Sequence, residues 1–329
     1  MTRLTKVELR RLFSRRLTSI VVLGALVITG LLLFAAFQQA KPLTGAELAN
    51  QQASFAQAQK EWAATGDQQV AECVKGQAEA QKTEPKADFR CSQMEPTWAM
   101  WGKPQVKFAD LMHSNLLSGS YVLAAVGFLV GAGFVSAEFS SGSIGSWLTF
   151  QPRRTRVYGS KLAAAGLGMF PIAVALLGIL TAGVWVIVGH YASTAGTTAK
   201  VWGDLGLIGS RAVALTLAAA LAGAASGFLL RHTAAVIGIA MGYLVLVEAV
   251  FGQALRASQP WLLRLNVDAW LQHGATYYVD VCKTDAQGNY GCQSVEKILS
   301  FGHSSAYLGV LVVLIVALAA LVFRRRDVS

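Results

Sequence analysis

Charge is scarce in this chain. Only 14% of its 329 residues are Asp, Glu, Lys or Arg, against about 25% in ordinary soluble domains. With 54% hydrophobic residues, a water-soluble globule is excluded. No GxxxxGK[ST] stretch occurs, so nothing here offers nucleotide phosphates a glycine-rich cradle backed by a lysine. HExxH and a Ser-His-Asp layout are missing as well. The histidines, His113, His190, His232, His273 and His303, are scattered without ligand spacing. The expectation is therefore a chain that is not an enzyme, with no catalytic residues and no metal site. Cysteine appears four times, as Cys73, Cys91, Cys282 and Cys292, and never inside an apolar run.

What the chain does contain is six apolar runs, at 17–37, 117–137, 162–189, 205–230, 233–255 and 304–323. Each reaches the roughly 20 residues that a helix needs to cross a bilayer. The first is too long for a signal-peptide core and lacks a clear cleavage site, so it reads as a retained span. Segments 1–16, 138–161, 231–232 and 324–329 together hold 14 Lys/Arg and 3 Asp/Glu. Segments 38–116, 190–204 and 256–303, with Arg211, hold 14 of each. The positive-inside rule places the first set, and both termini, in the cytoplasm. The net charge of +10 is then a signature of topology and calls for no nucleic acid.

The resulting fold class is an all-α membrane protein of six transmembrane helices with two extracytoplasmic domains. One, 38–116, is helical; the other, 256–303, is small and contains a hairpin. Residues 1–16 carry six basic residues among Leu4, Val7, Leu9, Leu12 and Phe13. They are either a plain basic flank or an interfacial helix lying on anionic lipid. In the first external segment Thr44 and Glu47 fit a capping box. The Ala/Gln/Glu-rich run that follows, to about Gln81, looks broken near Gly66 and Asp67, giving two helices folded back on each other. Trp98 and Trp101 read as interface anchors.

Four external cysteines allow three disulfide pairings. Cys282 and Cys292 flank an Asp-Ala-Gln-Gly-Asn turn after a strand-like run, which favours a bridge across that hairpin and leaves Cys73 for Cys91. Glycine pairs at Gly127/Gly131, Gly223/Gly227 and Gly238/Gly242 permit close helix packing, within one subunit or between subunits. Glu248 is the one acid inside an apolar run, at a cost of about 2.5 to 3.5 kcal/mol on insertion scales. It marks either a transport path or an ion pair, with Arg211 or Arg256 as partner.

The loop at 138–161 is more specific than its charge. Glu138 is followed by Gly142 and Ser143, then by apolar Ile144, Trp147 and Leu148, then by Pro152, Arg153, Arg154, Arg156 and Lys161. That order suggests a short interfacial helix stopped at Pro152. Glu138, Gly142, Ser143, Leu148, Pro152, Arg154 and Lys161 fall where ABC-2-type permeases, the membrane subunits of bacterial ABC exporters, carry a similar pattern, and the chain resembles that family there. The resemblance implies that these seven residues dock a separate ABC ATPase subunit. This chain would then bind no cofactor, with ATP and Mg held by the partner. It further implies a second permease copy or homologue, contact with membrane lipid, a location in the bacterial cell (cytoplasmic) membrane, and export of a hydrophobic or amphipathic substrate. The long segment 38–116 departs from the compact members of the family. Two other readings compete: a membrane scaffold or mechanotransmission subunit with external binding domains, and an ion-driven secondary transporter. The last predicts several buried acids or related halves, whereas only Glu248 and no clear repeat are found.

Overall fold

The computed structural model describes residues 2–82, 87–252, 256–284 and 290–325. An amphipathic α1 (Thr2–Ser14) turns at Arg15 into α2 (Arg16–Ala40). Then come α3 (Gly45–Ala80), the one-turn α4 (Trp98–Trp101), α5 (Phe108–Ser140), α6 (Ser143–Phe150), α7 (Arg154–Tyr191) and α8 (Ala199–Leu230). Next, α9 (Thr233–Gly242) runs on as a π-helical segment, Tyr243–Phe251. A short α10 (Leu263–Gln272) precedes strands β1 (Gly274–Thr284) and β2 (Tyr290–Ser300), and α11 (Phe301–Arg325) ends the fold. Six helices (α2, α5, α7, α8, α9 with its π segment, and α11) are long and apolar enough to cross a membrane, so the chain is a multi-pass membrane protein by length and composition.

Packing ranks these helices. In its most apolar stretch α5 is 61% buried, whereas the α9 segment is 6% buried and leaves its apolar surface for lipid or another chain. The centre is the parallel contact of α5 with α8, where two of the glycine pairs meet. A Cβ on Gly127 would come 2.5 Å from the Thr216 carbonyl oxygen, and Cβ atoms on Gly131 and Gly223 would run into the Ala220 and Phe128 carbonyls. The third pair, Gly238 and Gly242, has open space around it. Backbone-to-backbone approach of this kind gives van der Waals contact where lipid supplies no hydrophobic drive. At one end, Phe139, Tyr158, Phe228 and Phe323 join α5, α7, α8 and α11 in an aromatic knot. The Tyr158 hydroxyl donates to the Val316 carbonyl at 2.6 Å.

Three expectations change. The run after Thr44 is one unbroken helix of 36 residues. Glycine costs a helix interior only about 1 kcal/mol; the neighbouring residues are good helix formers, and the Trp62 ring lies over Gly66. Residues 87–107 return instead as a mostly non-helical strap, tied by Cys73–Cys91 and by Phe55 against Trp98. The capping box forms at Thr44 and Glu47, and the bond from the Thr44 backbone N–H holds the Glu47 carboxyl below the usual carboxylate range. Secondly, α5 and α7 begin well before the apolar runs at 117 and 162, because polar and basic residues there are held by the protein itself. Thirdly, the region 256–303 holds an amphipathic helix beside its hairpin. Cys282 faces Cys292 directly across the antiparallel ladder and is bonded to it. The turn at 285–289 and the tail at 326–329 lie outside the described residues.

Candidate functional site

Two sites emerge, one at each end of the bundle. At the end that carries Arg153, Arg154 and Arg156, four charges from four elements converge. Lys161 on α7 contacts Glu8 of α1 at 2.9 Å and Glu138 at the end of α5 at 2.6 Å. Arg15, at the α1–α2 junction, contacts Glu138 at 2.7 Å. Lys161 and Glu8 have fully buried side chains, and Glu138 is 3% exposed. The Phe134 ring sits beneath both cations, 4.9 Å from Lys161 and 5.4 Å from Arg15. Two acids and two bases make the cluster neutral, which is how charges this deep are tolerated. Glu8 and Leu12 lie on one face of α1, Arg15 follows just past its end, and the buried Leu12 packs against Gly168.

The cluster reaches the loop through one residue. Trp147 on α6 donates its indole N–H to Glu8 at 2.7 Å, and Arg11 covers the same ring at 4.3 Å. At its start α6 hangs from Gly142, whose φ of +68° only glycine adopts freely. At its far end it is released by Pro152, and between these Ile144 is buried. Contacts therefore run from α6 to Glu8, from Glu8 to Lys161 on α7, and from Lys161 to Glu138 on α5.

The seven residues expected to dock a partner divide accordingly. Gly142, Ser143 and Pro152 are exposed, and Arg154 is half-buried with Nη1 3.4 Å from the Phe323 carbonyl. The Leu148 side chain lies outside the described residues. Glu138 and Lys161 are enclosed; they have no surface to offer a partner and act by holding α5, α7 and α1 together.

At the opposite end lies α10, and here Glu248 and Arg211 are found. They do not pair with each other. Glu248 accepts from the backbone N–H groups of Leu263 (2.6 Å) and Arg264 (3.3 Å), the first two residues of α10, and from the Tyr243 hydroxyl at 2.7 Å. Arg211 donates to the Leu271 carbonyl at 3.1 Å, at the other end of the same helix, and lies 3.1 Å from His273 Nδ1 and over the Phe301 ring. A carboxylate at the N-terminus and a guanidinium at the C-terminus match the helix dipole. Both charges, each carried by a long apolar helical segment, are thus partners of one short helix. The Arg256 side chain lies outside the described residues. The clamp is completed by Tyr121 of α5, which donates to Asp268 at 2.7 Å, by Tyr307 of α11 on the Trp261 carbonyl and by Trp270 on the Arg211 carbonyl.

Glu248→Leu leaves two backbone donors and a hydroxyl unpaired and should destabilise the chain by about 1 to 3 kcal/mol. Faster amide exchange in α10 than in α5 checks this. Unchanged exchange at Leu263 and Arg264 would show that the cap does not hold the helix.

Glu8, Arg15, Tyr121 and Asp268 were not among the residues the sequence singled out, and Trp147 was read there only as an apolar residue of the interfacial helix. For Glu8 a signal existed: it is the lone acid among six basic residues and falls on the apolar stripe of α1. Among the described residues no group of three or more His, Cys, Asp or Glu is placed to hold a metal. Compared with family models, curated proteins and solved structures, the chain matches none.

Proposed function

We propose that this chain is the permease subunit of an ATP-driven exporter of the ABC-2 type, working with a separate ATPase subunit that binds ATP and Mg. The supporting observation is the route from α6 through Trp147 and Glu8 to the buried Lys161. A helix hinged at a left-handed glycine, and joined to the bundle core by charge, suits a lever pushed from outside the chain. In this reading the basic end faces the cytoplasm of a bacterial cell, and the partner grips exposed parts of residues 141–156. Two copies, or one copy and a homologue, line a path for a hydrophobic or amphipathic substrate. The Tyr121, Glu248 and Arg211 contacts hold α10 across the far end.

A second reading has one observation in its favour. With 36 residues, α3 is about 54 Å long at 1.5 Å per residue, and most of it is exposed. Such an arm suits a mechanotransmission subunit that engages an external partner and transports nothing.

Affinity purification of the full chain from its own membranes tests the first reading. A companion that hydrolyses ATP is expected, and reversing the exposed Arg153 and Arg156 to Glu should weaken its retention about tenfold or more, since like-charge contacts at a docking rim are strongly unfavourable. Retention unaffected by both reversals would remove this loop from the contact. Substrate-stimulated hydrolysis in vesicles separates transport from the second reading.

A further inference from the structure

We propose that α1 is a docking face for anionic phospholipid, and that the charge of the surrounding leaflet thereby sets how firmly Glu8 and Arg15 are held in the ion cluster. The inference rests on the membrane fold and the geometry of α1, and stands whether or not an ATPase drives the chain. At 100° per residue the two sides of α1 are unlike. Glu8 and Leu12, with Arg15 just beyond the helix, point into the bundle and are buried or half-buried. Opposite them lies an exposed arc with Arg3, Lys6 and Arg10 along its middle. Val7, 41% exposed, and Phe13, 47% exposed, form its two edges. Among the described residues no acid pairs with these three cations.

Three stacked cations bordered by apolar side chains match the boundary between phosphate headgroups and acyl chains. Position selects lipid over the acidic surface of a soluble protein. Only Arg15 separates α1 from the apolar α2. Leu9 and Leu12 pack on Gly168, two turns along α7 from Lys161, so α1 lies alongside the spans. Leu17, at the start of α2, is 40% exposed and continues the apolar edge. Each cation near an anionic surface shifts the docked population about fivefold, so three shift it roughly a hundredfold. The other side of the helix carries the ion cluster, so a helix that swings free of the leaflet pulls Glu8 away from Lys161 and Trp147.

The test uses the full chain in vesicles of phosphatidylcholine alone and of phosphatidylcholine mixed equally with phosphatidylglycerol, with amide hydrogen exchange of residues 3–14 as the readout. Phosphatidylglycerol is expected to slow exchange in α1 by about tenfold or more, with the effect lost in molar salt. It should also be lost in the combined variant Arg3→Gln, Lys6→Gln and Arg10→Gln. An unchanged melting temperature in detergent shows that the variant is folded, since these side chains point away from the bundle. Equal exchange in the two vesicles overturns the proposal. So does a difference that persists in the folded variant, which would place the lipid effect at other basic residues such as Arg153 and Arg156. Protection of α1 by soluble polyglutamate but not by phosphatidylglycerol also overturns it, in favour of a protein partner.

Discussion

Lys161→Met is expected to lower the stability of the folded chain by roughly 3 to 5 kcal/mol, the loss seen when one member of a buried ion pair is removed. The reason is what remains. Glu8 and Glu138 would face each other across a site with almost no access to water, and Arg15 alone cannot neutralise both. The methionine fills a similar volume, so the loss is electrostatic rather than a cavity effect. Thermal unfolding in detergent measures it. Adding Glu8→Gln to Lys161→Met should recover a good part of the loss, because the buried charge is then balanced by Arg15. Equal stabilities for the wild type and Lys161→Met would mean that the charges are solvated and that the cluster holds nothing. The same geometry means that reversing the charge at Glu138 would break this end of the bundle itself.

Gly131→Ala is expected to destabilise by about 2 to 3 kcal/mol, near the upper end of the overpacking range. Its new methyl would collide with the Ala220 carbonyl and sit 2.9 Å from the Ala224 nitrogen. These are backbone atoms of a helix and cannot rotate away, so α5 and α8 must separate. Gly238→Ala provides the opposite sign. Nothing lies within 4 Å of the added carbon, and alanine gains up to about 1 kcal/mol over glycine in a helix. Unfolding of the two variants side by side checks both. A loss at Gly238 as large as that at Gly131 would reveal a second polypeptide packed on α9.

Hydropathy reached all six spans because a membrane demands about 20 apolar residues and leaves little freedom. The helices α5 and α7 start earlier than their apolar runs, an extension that hydropathy does not show because a buried Lys161 or Asn115 looks like loop to any scale that prices residues singly. The hairpin bridge was legible because turn residues lay between two cysteines. The break at Gly66 was misread because one weak helix former cannot end a helix whose neighbours all favour it. The charged sites were only half visible. Glu138, Lys161, Glu248 and Arg211 stand out as charges at or inside apolar runs, but their partners come from far along the chain. Glu8 lies 153 residues from Lys161, and the dipole of α10 that binds Glu248 and Arg211 is a property of backbone that no side-chain pattern displays.

Photo-crosslinking in intact membranes bears most directly on the proposed lever. A photoreactive residue is placed at the exposed Ser146 of α6 and, in a separate chain, at the exposed Ala64 of α3. An adduct with a nucleotide-hydrolysing polypeptide is predicted from position 146 and not from position 64. Capture of that polypeptide from position 64 alone, or labelling of position 146 by a membrane-impermeant reagent added outside the cell, would contradict it.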